Sequence, residues 1–521
     1  MNEGNSINNK VSIETWIAFV CMVFGMFMAV LDIQIVASSL KEIQAGLSAT
    51  QEEINWVQSS YLIAEVMIIP ICGWLCKAFS TRVVFSIACA GFTIMSVACA
   101  ISWNLTSMIA FRALQGFFGG AMIPTVFATI FLIFPVKMRP MVTVVIGLVV
   151  TMAPIAGPIL GGYITEYLSW HYLFLVNIIP GIIVVISVLK LVHFDQPEYD
   201  LLKTIDFIGI FLIIISLGSL QYILEEGSKE NWFESNFISI LATISLTSMV
   251  ALIYREWTIK NPIINLHAFK DRNFTCGCIM SFVLGWGLYT SVFIMPVYLS
   301  SIKGLNSIQV GEYLLVTGVF QLLSAPCAGL LSKKIDLRLI LGIGLFLFGF
   351  SCFISRDISY NSGYNDFFWP QALRGFSLMF CFLPITSLTF ATLDVKSVHT
   401  ASGLYNLMRN LGGAIGLAIS NTWLQSWTKR NYSYLRDHVD STKYLVEENI
   451  DLSQFNLDQF NYFDPALGAL KLLYQIAQRE AYILTFNQVF FSMGLLFFFS
   501  IFLIIIIKKL DLNEERQIDG H

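Results

Sequence analysis

Charge is scarce in this sequence. Asp, Glu, Lys and Arg make up 13% of its 521 residues, against about 25% in an average soluble domain. Hydrophobic residues make up 56%, more apolar surface than a water-soluble core of this length can hide. An ordinary soluble enzyme is therefore excluded. The formal net charge is −4, and no basic patch points to nucleic acid. The phosphate-cradling pattern GxxxxGK[ST] is missing, which argues against ATP as the direct energy source. His171, His193, His267, His399, His438 and His521 are scattered, whereas a membrane enzyme would cluster such groups at catalytic spacing. The ten cysteines lie within or beside apolar stretches, so a disulfide framework is not expected. Neither Cys72 and Cys76 nor Cys276 and Cys278 have partners at metal-ligand spacing. No metal and no organic cofactor is expected.

Long apolar runs are what the sequence has in plenty. A membrane-crossing helix needs about 20 mostly apolar residues. Such runs fall near 16–40, 54–76, 83–103, 107–133, 141–163, 171–192, 205–224, 236–256, 274–300, 309–331, 338–356, 367–391, 402–425 and 482–507. The first is too long for a signal-peptide core and reads as a retained span. Backbone groups in hydrocarbon must bond internally, so these runs are helices in the bilayer. Fourteen spans place both termini on one side. Positive charge chooses the side. With the termini inside, the inner segments hold Lys10, Lys77, Arg82, Lys137, Arg139, Lys190, Lys203, Arg255, Lys260, Lys270, Arg272, Lys333, Lys334, Arg338, Lys396, Lys508, Lys509 and Arg516, while the short outer loops hold only Lys41, Lys229, Lys303 and Arg356. Both termini are expected on the cytoplasmic side.

The two halves of the chain resemble each other. PICGWLCK (70–77) aligns with PCAGLLSK (326–333), ALQGF (113–117) with ALRGF (372–376), and GLVVTMAPIAGPI (147–159) with GLYNLMRNLGGAI (403–415). The copies keep the same orientation in the bilayer, which is the parallel repeat of facilitator architectures. The expected organisation is an N-terminal six-helix bundle (1–192), a linker with two extra spans (193–260), and a C-terminal six-helix bundle (261–507) followed by a tail (508–521). Within the last bundle, 429–481 is an outer loop whose segment 465–481 reads as a short amphipathic helix, fit to lie on the membrane surface or against a partner.

Several stretches resemble one family. VLDIQIVASSL (30–40) is similar to the first-span signature of fourteen-span drug:proton antiporters, with Gln34 where Thr is usual. GWLCKAFSTR (73–82) resembles the facilitator motif between spans two and three, with Lys77 where an Asp is usual and Ser80 where a Gly is usual. FRALQG (111–116) resembles the fourth-span motif RxxQG, and APIAGPILGGYI (153–164) the antiporter motif GPxxGG. WHYLFLVNIIPG (170–181) and NPIINLHAFKDRNF (261–274) resemble further stretches of EmrB/QacA-type exporters in the major facilitator superfamily. The resemblance implies an all-α membrane protein of the major facilitator fold, two six-helix bundles plus two inserted helices, in the bacterial inner membrane. It implies efflux of hydrophobic or amphipathic, often cationic, drugs in exchange for protons. It also implies a periplasmic adaptor (EmrA-like) and an outer-membrane channel as partners. The rival reading is a dedicated facilitator for one metabolite, such as a siderophore, fatty acid or polyamine.

Some residues stand out chemically. A carboxylate inside a membrane is costly and usually functional, which singles out Asp32 and Glu65. Arg112 sits at a depth comparable to Asp32 and is the expected partner. These three are the expected proton-coupling groups. Pro154, Gly157, Pro158, Gly161 and Gly162 give the fifth span a small-residue face beside prolines, suited to close approach and bending. Gln34, Tyr61, Trp286, Tyr289, Met295, Gln321, Asn406 and Arg409 are the expected substrate-lining residues near the midplane. Arg374 is a further cation within a span.

Overall fold

The computed structural model describes residues 11–50, 53–135, 138–259, 261–393, 397–438 and 465–509. Lys10, Lys137, Lys260, Lys396 and Arg516 of the inner cations lie outside the described residues, as do 439–464 of the long loop and the tail from 510 onward. The first half comprises α1 (Ile13–Ser38), α2 (Leu40–Leu47), α3 (Trp56–Phe79), α4 (Thr81–Ala100), α5 (Leu105–Ile133), α6 (Arg139–Tyr167), α7 (Tyr172–Leu175) and α8 (Ile178–Leu191). Two inserted helices follow, α9 (Phe207–Glu226) and α10 (Asn236–Thr258). The second half comprises α11 (Arg272–Ser301), α12 (Ser307–Leu331), α13 (Leu337–Ile354), α14 (Tyr364–Phe390), α15 (Val398–His438) and α16 (Pro465–Ser500).

Short polar residues start these helices, because the first turn leaves backbone N–H groups without partners. Ser12 accepts from Thr15 N at the head of α1. Asn104 and Ser107 form a reciprocal box on α5, and Asn306 and Gln309 form another on α12. Asp206 caps α9 through Gly209 N at 2.9 Å and also pairs with Arg255 of α10 at 2.7 Å. Burial pushes the Asp206 carboxyl up, but the Arg255 and Gly209 donors outweigh it and hold it below the usual carboxylate range. The tie that joins the two inserted helices therefore adds stability above the ordinary carboxylate pKa. That stability is lost only as pH falls through the lower, folded value.

The repeat read from the sequence is repeated in packing. α1 lies on α6 as α11 lies on α15, α3 on α5 as α12 on α14, and α4 on α8 as α13 on α16. The match reaches single residues. Gly116 of α5 abuts the Tyr61 backbone of α3, and Gly375 of α14 abuts the Thr317 backbone of α12. These glycines belong to the paired stretches ALQGF and ALRGF, so close backbone approach explains why both carry Gly there.

Both described ends of the chain lie on one face. Trp16 packs on Phe134 at 4.8 Å, Phe131 on Phe390 at 4.7 Å, Lys508 N donates to Asn273 at 2.8 Å, and Arg338 reaches Ile507 O at 3.4 Å. On this terminal face the two halves are sealed together. Gly73 abuts His399 and Thr400, Ser402 Oγ donates to Pro124 O at 3.1 Å, and Phe127 meets Phe382 at 6.1 Å. The second seam, between α6 and α12, is stapled by a hydrogen bond from Gln321 to Thr151.

Two expected helices, 465–481 and 171–192, differ in their limits. Thirteen helices among the described residues are apolar enough by composition to cross a membrane, and the fourteenth expected span lies within α15. The expected run 402–425 is helical, inside α15, but Asn406, Arg409 and Asn410 dilute its apolar character. It is shielded by packing on α3, α5, α11 and α16, which is why polar residues are tolerated there. The segment 465–481 is not a separate short helix. It is the first part of α16, a 36-residue helix, while α15 runs for 41 residues. At about 1.5 Å per residue, both outrun a hydrocarbon core of roughly 30 Å, so they project together beyond the face opposite the termini. The sixth run is broken into α7 and α8, with Asn177 at the break.

The inserted helices sit against the seam between α3 and α15. Glu226 at the end of α9 accepts from Ser59 of α3 at 3.2 Å, and Met67 of α3 packs against Gly218. Just beyond α9, Trp232 Nε1 donates to Thr422 of α15 at 3.0 Å. α10 packs mainly on α9.

Candidate functional site

Asp32 and Arg112 meet in the interior of the first half. Arg112 Nη1 lies 2.5 Å from Asp32 Oδ2, and both side chains are fully buried. α1 supplies the acid, α5 the base. The other carboxylate oxygen accepts from Asn177 at 2.9 Å and from Gln115 at 3.2 Å. Gln115 also accepts from Arg112 at 2.7 Å and donates to Ser96 of α4 at 2.8 Å. Arg112 Nε donates to Val57 O at 3.1 Å, and the guanidinium lies 4.4 Å from the Tyr61 ring centre. A buried ion pair survives only when its remaining polar atoms are also bonded, and this one is bonded on nearly every side.

Sequence reading missed Gln115, Asn177 and Ser96. Gln115 was in view, as the Q of RxxQG, and Asn177 lies in the quoted stretch 170–181. Both are neutral amides, which carry no cost signal until a charge is seen beside them. The break between α7 and α8 turns the Asn177 amide onto the acid.

Glu65 occupies a different setting. It lies one turn further along α3 than Tyr61, faces the second half, and is buried. Its Oε1 accepts from Asn410 of α15 at 3.3 Å. It lies within electrostatic reach of Arg409 and Arg112. Arg409 is buried as well, hydrogen-bonded to Asn406 at 2.5 Å and set over the rings of Phe127 at 5.1 Å and Phe382 at 5.9 Å. Its Nε and Nη1 have no hydrogen-bond partner among the described residues. A carboxyl from one half and a guanidinium from the other thus share the seam without forming an ion pair within 4 Å. Tyr61 lies between the two acids, bonded through its hydroxyl to Ala29 O at 3.3 Å.

The remaining expected lining residues divide. Tyr289 packs on Gly413 and feels both Arg409 and Glu65, and Trp286 packs on Gly416. Asn406 orients Arg409. Gln34 faces the antiporter-motif helix, where a Cβ on Gly157 would fall onto it. Gln321 donates to Thr151, and Met295 is buried. Arg374 lies in the second bundle, reaching Ser355 at 3.4 Å and stacked near Phe490.

In the antiporter motif, Gly157 and Gly161 face α1, against Gln34, Ile35 and Ser38, while Pro158 and Gly162 are only half-buried and Pro154 is buried. Helix α6 runs unbroken through both prolines. Replacing Gly157 by Leu should destabilise the protein by about 1–3 kcal/mol through overpacking of α1 on α6. Thermal unfolding in detergent reads this, and an unchanged midpoint would mean the two helices separate at no cost.

On the terminal face, a latch holds the turn between α3 and α4. Lys77 replaces the usual acid there, and acids arrive instead from the segment after α8. Asp195 accepts from Thr81 N at 2.7 Å and from Thr81 Oγ1 at 2.6 Å, capping α4. Glu198 N donates to Lys77 O at 2.9 Å, and Arg82 meets His193 at 3.0 Å. Asp195→Ala should cost about 1 kcal/mol as a lost cap and speed amide exchange at the start of α4. Exchange there equal to wild type would remove Asp195 from the latch.

The Major Facilitator Superfamily profile matches residues 22–417. The colistin resistance protein EmrB of Acinetobacter baumannii is 36% identical over 494 residues, 95% of this chain and 96% of that protein. The multidrug export protein EmrB of Escherichia coli K12 is 31% identical over 416 residues, 79% of this chain and 80% of that one. Among solved structures, the human organic anion transporter TETRAN superposes with a TM-score of 0.59 at 11% identity, covering 94% of this chain and 99% of that chain. At that identity the likeness is one of fold.

Proposed function

The chain belongs to the Major Facilitator Superfamily, and from that premise we propose that it exports amphipathic drugs from the cell, driven by protons entering in exchange. Its relatives are named for multidrug export and colistin resistance. The observation that carries the mechanism is the seam cluster. Glu65 stands on one half, Asn410 and Arg409 on the other, and a single 3.3 Å hydrogen bond links acid to amide. Protonating Glu65 removes the charge that Arg409 faces, and so loosens the electrostatic hold between halves. The halves then exchange the side they open to, and substrate and proton move in opposite directions. Asp32 and Arg112 hold the first half rigid around Tyr61, the contact through which the two acids sense each other.

In this reading the membrane is the bacterial inner membrane and both termini lie in the cytoplasm, an orientation that the distribution of Lys and Arg supports. The projecting ends of α15 and α16 face the periplasm and suit an EmrA-like adaptor leading to an outer-membrane channel. The free donors of Arg409 accept an acidic head group as readily as Glu65 accepts a cationic one. They also favour the second reading, a facilitator of one acidic metabolite such as a fatty acid.

Proteoliposomes under an imposed pH gradient test the proposal. Wild-type protein should drive efflux of several unrelated dyes, and these should compete with one another. A single saturable acid that no other compound displaces would favour the second reading. Movement unaffected by collapsing the gradient would end the antiport proposal.

A further inference from the structure

A cavity of about 440 Å³ opens between α15 and α16, away from the seam. Trp427, Arg430, Asn431 and Tyr434 of α15 line it, with Gln488, Phe491 and Ser492 of α16. Its height in the bilayer follows from α16. Gln488 to Ser492 lie 15 to 19 residues before Ile507, the end of the apolar run, and with Ile501–Ile506 in a 3-10 helix that is about 25–31 Å at 1.5 Å per α-helical and 2.0 Å per 3-10 residue. A hydrocarbon core is roughly 30 Å thick, so the cavity sits just below the head groups on the face opposite the termini. Trp423 and Trp427 stack there at 4.6 Å, and tryptophan concentrates at that interface.

The polar groups of the cavity are unequal. Asn431 is committed, donating to Thr485 at 3.0 Å and Gln488 at 3.1 Å. Arg430 is exposed and forms no ion pair with the described residues, and the exposed Lys429 precedes it. A second cation, Arg356 at the end of α13, lies 6.0 Å from the other cavity wall, the Phe491 ring. Arg356 pairs with Asp357 at 3.5 Å, and Arg436 with Asp437 at 3.2 Å, which leaves Arg430 as the cavity's own cation. A guanidinium above an aromatic slot, at head-group height, matches an amphiphile with an anionic head and an aliphatic tail. The bilayer supplies such a molecule at all times.

We propose that this cavity is a binding site for an anionic phospholipid of the periplasmic leaflet, its phosphodiester on Arg430 and its first methylenes between Trp427 and Phe491. Arginine suits the phosphodiester because its fork of N–H donors matches two phosphate oxygens at once. The bound lipid would pack α15 against α16 at the point where both leave the membrane.

Native mass spectrometry of the full-length protein, incubated with phosphatidylglycerol or phosphatidylethanolamine, tests this. Wild type should retain phosphatidylglycerol in preference. Arg430→Ala should weaken that retention by about fivefold, the equivalent of one head-group cation. Trp427→Ala should weaken retention of both lipids, because it removes the tail contact. Arg436→Ala is the control, since Arg436 lies on the same helix, outside the cavity, paired with Asp437 at 3.2 Å, and it should bind as wild type. Equal retention by wild type and Arg430→Ala would overturn the proposal. So would displacement of the lipid by dodecanoate at matched concentration, which would assign the cavity to soluble acids instead.

Discussion

Arg112→Ala should unfold more readily than any other single substitution considered for this chain, losing about 3–5 kcal/mol. The reason is the acid left behind. Asp32 is fully buried and pairs with Arg112 at 2.5 Å. Without the guanidinium, a carboxylate would remain buried in the protein interior with only the amides of Asn177 and Gln115 to solvate it. Gln115 would also lose the donor to its oxygen, and Val57 O the donor from Nε. Thermal unfolding in detergent measures the loss. The double variant Asp32→Asn, Arg112→Gln should recover most of the stability, because no charge is then stranded. If the double variant is as unstable as Arg112→Ala, the ion pair is not the source of the effect. If Arg112→Ala alone unfolds like wild type, the buried pair does not exist in the protein as it folds in a membrane.

Glu65→Gln should leave the fold intact and remove coupling. Glutamine keeps the shape and can still bond the Asn410 amide, but it cannot exchange a proton. Gradient-driven efflux should fall by about tenfold or more, equivalent to roughly 1.4 kcal/mol on the driving step. Downhill movement of the same dye, with no gradient imposed, should persist. That split separates a coupling role from a structural one, which would depress both. Asp32→Asn gives a useful contrast, since it disturbs a bonded network inside one half and should reduce both kinds of movement. Gradient-driven efflux at wild-type rates in Glu65→Gln would remove Glu65 from the proton pathway.

Much of the architecture was legible in the sequence, because the membrane leaves few choices. Apolar runs of about 20 residues must be helices, and the paired glycines Gly116 and Gly375 marked the same close contact in both halves. The pairing of Asp32 with Arg112 was legible from depth alone. What escaped was context for neutral groups. Asn177 could be an ordinary span residue until the α7–α8 break is seen to turn it towards Asp32. Asn410 bears on function only because α15 places it opposite Glu65. The run 402–425 of α15 is less apolar than the other spans for the same reason, since polar residues facing other helices look the same in sequence as polar residues facing water. The limits of α15 and α16 were missed because a helix leaving the bilayer keeps its hydrogen bonds while its composition changes.

The inserted pair of helices has a mechanical consequence. α9 packs on α3, gripping it through Ser59 and Met67, more extensively than on α15, where Trp232 just beyond α9 adds a bond to Thr422. When the halves pivot, the weaker grip gives way first, so the pair travels with the first half like an outrigger lashed to one hull. The flank of α15 beneath it is then covered on one stroke and bared to lipid on the next, which makes that flank a sideways door whose timing is set by the pivot itself.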